Sequence, residues 1–168
     1  MENSPIVTTL SDQIDAMNKA IAIKMDSYRP RIDRNTADAV TRIFKKHSRV
    51  VISALEEQKI RNSIGLAIGN GARIPVGFTW GCSGMALSSM KLRERINYPR
   101  KGDLWGIWWF DILNKKIKHH YAPGIDLVIG DEVPHFHSLG WPYKDMVRRH
   151  EIMKNLAEQH FDFVRIVA

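Results

Sequence analysis

The period of the hydrophobic residues changes along this 168-residue chain, and that change constrains the fold more than any other feature. Over residues 1–60, Leu10, Ile14, Met17, Ile21 and Tyr28 recur at three-to-four spacing with Met25 near the same stripe, the signature of an amphipathic helix. Ser11 is a plausible N-cap, and Tyr28-Arg29-Pro30 should end the helix, because the residue before proline is pushed out of the α region. Asn35 should cap a second helix with Asp38 in its first turn and Val40, Phe44, His47, Val51, Ala54 and Leu55 along one side. His47 on that stripe reads as a histidine packed at the edge of the core. From Asp103 onward the composition turns β-rich: Leu104-Trp105-Gly106-Ile107-Trp108-Trp109-Phe110 and Ile125-Asp126-Leu127-Val128-Ile129 read as strands, with Gly130-Asp131 as a hairpin turn after the second. Tyr143 to His160 reads as a helix, and Phe161 to Val167 alternates like a terminal strand. Helices followed by strands predict the α+β class, a helical N-terminal third (1–60) packed on a small antiparallel sheet within 61–168. At this length, 1–168 is expected to form a single domain.

Between the two regimes lies a glycine-dense stretch: Gly65, Gly69, Gly71, Gly77, Gly81 and Gly84, with Pro75 among them. Such density favours turns and close backbone approach. It lacks the Gly-Lys-Ser/Thr of a phosphate loop and the regular Gly-x-Gly-x-x-Gly of a dinucleotide site. A helix is expected from Ser83 to Ile96, ended by Pro99-Arg100-Lys101-Gly102.

The net charge of +7 is uneven. Residues 61–118 hold 10 Lys and Arg against 3 Asp and Glu, which alone supplies the whole excess. A polyanion contact through residues 91–118 is therefore expected, carried by Lys91, Arg93, Arg95, Arg100, Lys101, Lys115, Lys116 and Lys118. Residues 61–118 also hold Cys82, the one cysteine of the chain, so the basic surface is expected to border the cleft in which that residue would act. The start, Met1-Glu2-Asn3-Ser4-Pro5, shows no basic segment followed by an apolar one, and no apolar run reaches membrane-spanning length. A soluble protein made in the cytoplasm, without a signal peptide or transmembrane segment, is the expectation.

The one cysteine, Cys82, stands in Phe78-Thr79-Trp80-Gly81-Cys82-Ser83-Gly84, where it should open a helix. A thiol there faces unpaired N–H groups and the positive end of the helix dipole, which favour the thiolate. Downstream lie His119, His120, His135 and His137, any of which could act as its base. If His119 and His120 lie on a strand they point to opposite faces, so only one can meet the sulfur. A free cysteine is also among the residues most often buried as a small hydrophobe.

Taken in order, Cys82-Ser83-Gly84, Lys101-Gly102-Asp103-Leu104, His119/His120 and Ile129-Gly130-Asp131 followed by His135-Phe136-His137 resemble the NlpC-like papain-fold cysteine peptidases of the cell wall, over residues 78–137. The resemblance implies a papain-like arrangement with the nucleophile Cys82 at a helix N-terminus. It implies His119 or His120 as base and His135 or His137 as its orienting partner. Phe78 and Trp80 would border the substrate groove, and the substrate would be a peptide of peptidoglycan. No cofactor or metal is implied. With no signal peptide, such an enzyme would be delivered by a phage or a secretion machine. Two other readings remain open. His119 through Leu127 resembles a motif of zinc D-alanyl-D-alanine peptidases, with His119, Asp126 and His135 or His137 as ligands. A basic module that binds nucleic acid or another polyanion without catalysis is the second.

Overall fold

The computed structural model describes residues 5–29, 35–48, 51–80, 101–131 and 143–167. In chain order these form α1 (Pro5–Asp26), α2 (Thr36–His47), α3 (Ala54–Gly69), β1 (Ile74–Trp80), α4 (Lys101–Lys118), β2 (Ile125–Asp131), α5 (Tyr143–His160) and β3 (Val164–Val167).

The three strands form one sheet in the order β1-β2-β3, and both pairings are parallel. The antiparallel sheet expected from the sequence is thus corrected, and with it the papain-like arrangement on such a sheet. Parallel neighbours need a long crossover, and α4 and α5 lie in the two connections. No hairpin turns at Gly130-Asp131, since β2 runs through both residues. Strands alternate with helices from residue 74 onward, so the order of elements is α/β in its second half.

The largest correction concerns residues 104–110. Their aromatic content favours a strand, yet they lie inside α4, whose buried positions Leu104, Ile107, Trp108, Phe110, Asp111, Leu113, Asn114 and Ile117 spread over most of the girth of a helix. Aromatic β-propensity is a preference for a half-buried surface, and a central helix offers that surface as well. α4 packs on β2 on one side and on α1 and α2 on the other. A helix covered on two sides must be apolar around most of its girth, which hides the amphipathic signal.

One face of the sheet is covered. Ile74, Ile125, Leu127, Ile129, Val164 and Ile166 are buried, while Pro75, Gly77, Thr79, Arg165 and Val167 are exposed on the other face. Crossovers of one hand along a monotonic strand order carry their helices to one face, which accounts for this asymmetry. On the open face Arg165 bridges from β3 to Asp126 on β2 at 2.5 and 3.2 Å.

The N-terminal helices follow their expected stripe with shifted ends. Leu10, Ile14, Ile21 and Met25 are buried. α1 begins at Pro5, a residue whose fixed φ suits the first helical position, and Ser11 lies inside it. The expected second helix divides in two. α2 stops at His47, and α3 starts after Ser53, which forms a reciprocal capping box with Glu56. Val51, at 99% exposure, and Leu55, at 68%, accordingly leave the buried stripe. Asn35 caps α2 as expected, accepting from the Ala37 and Asp38 N–H groups. α5 spans the expected Tyr143–His160.

The turn into β2 is tightly built. Gly124 has φ +72°, and the buried Asn114 side chain accepts from the Ile125 N–H at 2.9 Å. Gly124 C=O in turn accepts from Ile74 N–H at 2.9 Å, which aligns the starts of β1 and β2. No described helix is long and apolar enough to cross a membrane.

Candidate functional site at the carboxyl edge of the sheet

β1 and β2 run in register from Ile74 beside Ile125 to Trp80 beside Asp131. Both strands therefore end at the same edge. In open parallel sheets, ligands bind outside the carboxyl ends of the strands where the strand order reverses. The order β1-β2-β3 does not reverse among the described strands, so this edge is a candidate because of the motifs that follow it. Two motifs singled out in the sequence leave from this edge. Gly81-Cys82-Ser83-Gly84 follows Trp80 directly, and Glu132 to His137 follows Asp131. Cys82, His135 and His137 lie outside the described residues, as do the expected helix Ser83–Ile96 and the expected edge strand Val133–Ser138. Covalent geometry alone keeps Cys82 within about 7 Å of the end of β1 and His135 within about 14 Å of the end of β2. The two strands stand about 4.8 Å apart.

His119 and His120 are at the other edge. They occupy the turn between α4 and β2 rather than a strand, so the alternation expected of them does not apply. The His120 N–H donates to the Ile117 carbonyl, and the next residue, Tyr121, donates its hydroxyl to the Ala72 carbonyl at 2.8 Å, just ahead of β1. From Ile74 to Trp80 the strand rises six times by about 3.3 Å, so about 20 Å separates this turn from the end of β1. The reason is topological. A crossover between parallel strands must bring the chain back to the amino edge before the second strand begins, so residues just before β2 cannot lie beside residues just after β1.

The carboxyl edge carries exposed aromatic surface. Phe78, two residues before the end of β1, is 39% exposed and packs its ring edge-on against Phe110 at 5.4 Å. It also lies against Gly106 in the first half of α4, where an added Cβ would stand 3.8 Å from its ring. Next to Gly106, Trp105 is 56% exposed and leans edge-on against the buried Trp108 at 5.7 Å. Trp105 was hidden among residues that read as a strand; the helical spacing of Leu104, Ile107, Trp108 and Asp111 would have turned it outward. Trp80 ends β1, and its side chain lies outside what is described.

The described basic side chains of 91–118 do not border this edge. Lys115, Lys116 and Lys118 fall in the last turn of α4, at the amino edge. Lys115 pairs with Asp111, and Lys118 approaches Asp162 at 3.7 Å. Lys91, Arg93, Arg95 and Arg100 lie outside the described residues, as does the Lys101 side chain. Of the zinc ligands considered, Asp126 is held by Arg165, and among the described residues no three metal-binding side chains come together. A groove of about 510 Å³ between α2 and α3 is lined by charges already committed to each other, Arg61 with Asp38 at 2.7 Å and Lys45 with Glu57 at 2.5 Å.

Comparison with protein-family models, with curated proteins and with solved structures finds no match for this chain. The likeness to NlpC-like peptidases therefore rests on the motif residues quoted above and on nothing else.

Proposed function

We propose that the chain is a thiol hydrolase of amide bonds, with its site at the carboxyl edge of the parallel sheet. Cys82 is the nucleophile and His135 or His137 the base. One observation carries this reading: β1 and β2 are parallel and in register, so the loop bearing Cys82 and the loop bearing both histidines start side by side. A nucleophile on the turn after a parallel strand is also a recurring arrangement in α/β hydrolases, where the backbone N–H groups of the turn stabilise the oxyanion.

In the proposed reaction the histidine takes the thiol proton, and the thiolate adds to the amide carbonyl. The tetrahedral intermediate collapses as the protonated histidine donates to the leaving nitrogen, releasing an amine. Water, activated by the same histidine, then cleaves the thioester and returns the free thiol. Phe78 and Trp105 give the substrate an apolar wall. The NlpC-like motif favours a peptidoglycan peptide as the source of the amide.

Alkylation by iodoacetamide tests the site without knowledge of the substrate. The rate should stay high well below the ordinary thiol pKa of about 8.5, because the thiolate is the reacting form. His135→Gln or His137→Gln should move that profile up towards about 8.5, whereas His120→Gln should leave it in place. A profile already centred near the ordinary value in the native protein, or a profile moved by His120→Gln, rules the proposal out.

A further inference from the structure

The last turns of three helices meet at the amino edge, and three of the lysines they bring pair with no carboxylate among the described residues. Lys24 lies in the last turn of α1, Lys46 and His47 in that of α2, and Lys116 in that of α4. The Lys116 ammonium donates to His47 Nε2 at 2.9 Å, which requires that nitrogen to be unprotonated. It also sits 5.6 Å from the centre of the Tyr28 ring, whose other neighbour is the His119 ring at 5.1 Å.

Basic residues in a last helical turn have an ordinary explanation, because they complement the partial negative charge of the terminal carbonyls. That explanation does not need the cations of different helices to converge. The neighbouring lysines show the contrast. Lys45, Lys115 and Lys118 occupy the same last turns, and each pairs with a carboxylate: Glu57, Asp111 and Asp162 respectively. Among the described residues no carboxylate pairs with Lys24, Lys46 or Lys116. Burial, with Lys46 and Lys24 nearby, holds the Lys116 ammonium below its usual range. Burial, with Lys116 and Lys46, does the same to His47. Like charges gathered in one place without a counter-charge are destabilising, and an anion placed between them removes the repulsion.

We propose that Lys24, Lys46, Lys116 and His47 form a binding site for a phosphoryl dianion, of the kind carried by a phosphate monoester or a diphosphate. Three ammonium groups supply several donors and enough charge for a doubly charged group, where a single carboxylate would leave most of them unmatched. Tyr28, whose phenol burial keeps neutral, forms the floor beneath Lys116. The site lies at the opposite edge of the sheet from Cys82 and is independent of the hydrolase reading.

Titration calorimetry with inorganic pyrophosphate at low, constant ionic strength tests the site on the full chain. Orthophosphate and glycerol phosphate serve as companion probes, to separate a diphosphate from a monoester preference. Lys116→Gln and Lys46→Gln should each weaken binding about tenfold or more, the loss expected of one charged hydrogen bond. Lys45→Gln, which removes a lysine already paired with Glu57, should change it little. In parallel, the His47 ring followed by NMR should titrate at higher pH when pyrophosphate is bound, because the anion offsets the two lysines. No binding of any probe at millimolar concentration overturns the proposal. So does equal weakening by Lys45→Gln and Lys116→Gln, which marks diffuse attraction. A loss of thermal stability in Lys116→Gln with binding intact overturns it as well, and assigns the lysines to the helix ends.

Discussion

Replacing Gly124 by alanine should be among the most damaging single-methyl changes in the protein. Two costs are separable. Gly124 has φ +72°, and forcing an alanine into the left-handed region costs about 1–2 kcal/mol. The new Cβ would also stand 2.3 Å from Asn114 Oδ1, a distance real Cβ atoms do not adopt. Asn114 is only 2% exposed and cannot swing into solvent, so it must give up the Ile125 N–H that it accepts at 2.9 Å. Leaving that buried donor unpaired costs about 1–3 kcal/mol. The Lys118 stem, 3.0 and 3.1 Å from the same Cβ, is flexible and gives way cheaply. The total is about 2–5 kcal/mol, a large part of the stability of about 5–15 kcal/mol typical of a domain. Gly71 supplies the control. It has φ +63°, and an added Cβ would meet nothing within 4 Å, so Gly71→Ala should show the conformational cost alone, about 1–2 kcal/mol. Urea unfolding measures both, read from the midpoint at unchanged slope. Asn114→Ala combined with Gly124→Ala should cost less than the sum of the two, because the first removes the atom the second strikes. Equal losses for Gly124→Ala and Gly71→Ala, or strict additivity in the double variant, would refute the steric argument.

Two further perturbations follow from described groups. His47 has its pKa lowered below the ordinary 6.5 by burial and by Lys116 and Lys46. The unfolded chain therefore binds more protons than the folded one as pH falls through 6.5, and stability declines from there down to the folded pKa. His47→Gln should flatten that decline in urea unfolding followed between neutral and mildly acid pH; an unchanged slope would show that the Lys116 contact does not depend on a neutral ring. Ser53→Ala should cost about 1 kcal/mol by removing the cap of α3. It should also return the Glu56 carboxyl, held low chiefly by its hydrogen bond from the Ser53 hydroxyl, towards its ordinary value in an NMR titration. A Glu56 titration unmoved by the substitution would show that the capping box is not populated.

Much of the local structure was legible because it follows from near neighbours in the chain. The stripe of α1, the Asn35 cap and the limits of α5 depend on residues three or four apart, and each lies where the spacing put it. The break between α2 and α3 was legible too, in Ser53-x-x-Glu56, but a continuous apolar stripe through Val51 and Leu55 concealed it. Of the candidate site, the motif residues could be picked out along the chain, and their grouping could not. His119 and His120 stand closer in sequence to Cys82 than His135 and His137 do, yet only the latter pair leaves from the edge where β1 ends. Phe78 could be named for the site before the fold was in hand, and Trp105 could not.

By itself, then, the sequence determined the Asn35 cap of α2 and the span of α5, where the charge is concentrated and which side chains can do chemistry. Those properties are local: caps, proline and glycine limits, and the three-to-four spacing of apolar residues act within a turn or two of the backbone. The tertiary structure alone decided that 104–110 is helical and that the strands pair in parallel. It also decided that the basic end of α4 faces away from the edge that Cys82 adjoins. The same apolar and aromatic residues suit a strand buried on one face or a helix buried on two sides. Strand direction depends on how far the connecting segment must travel, and no residue within a strand encodes that distance.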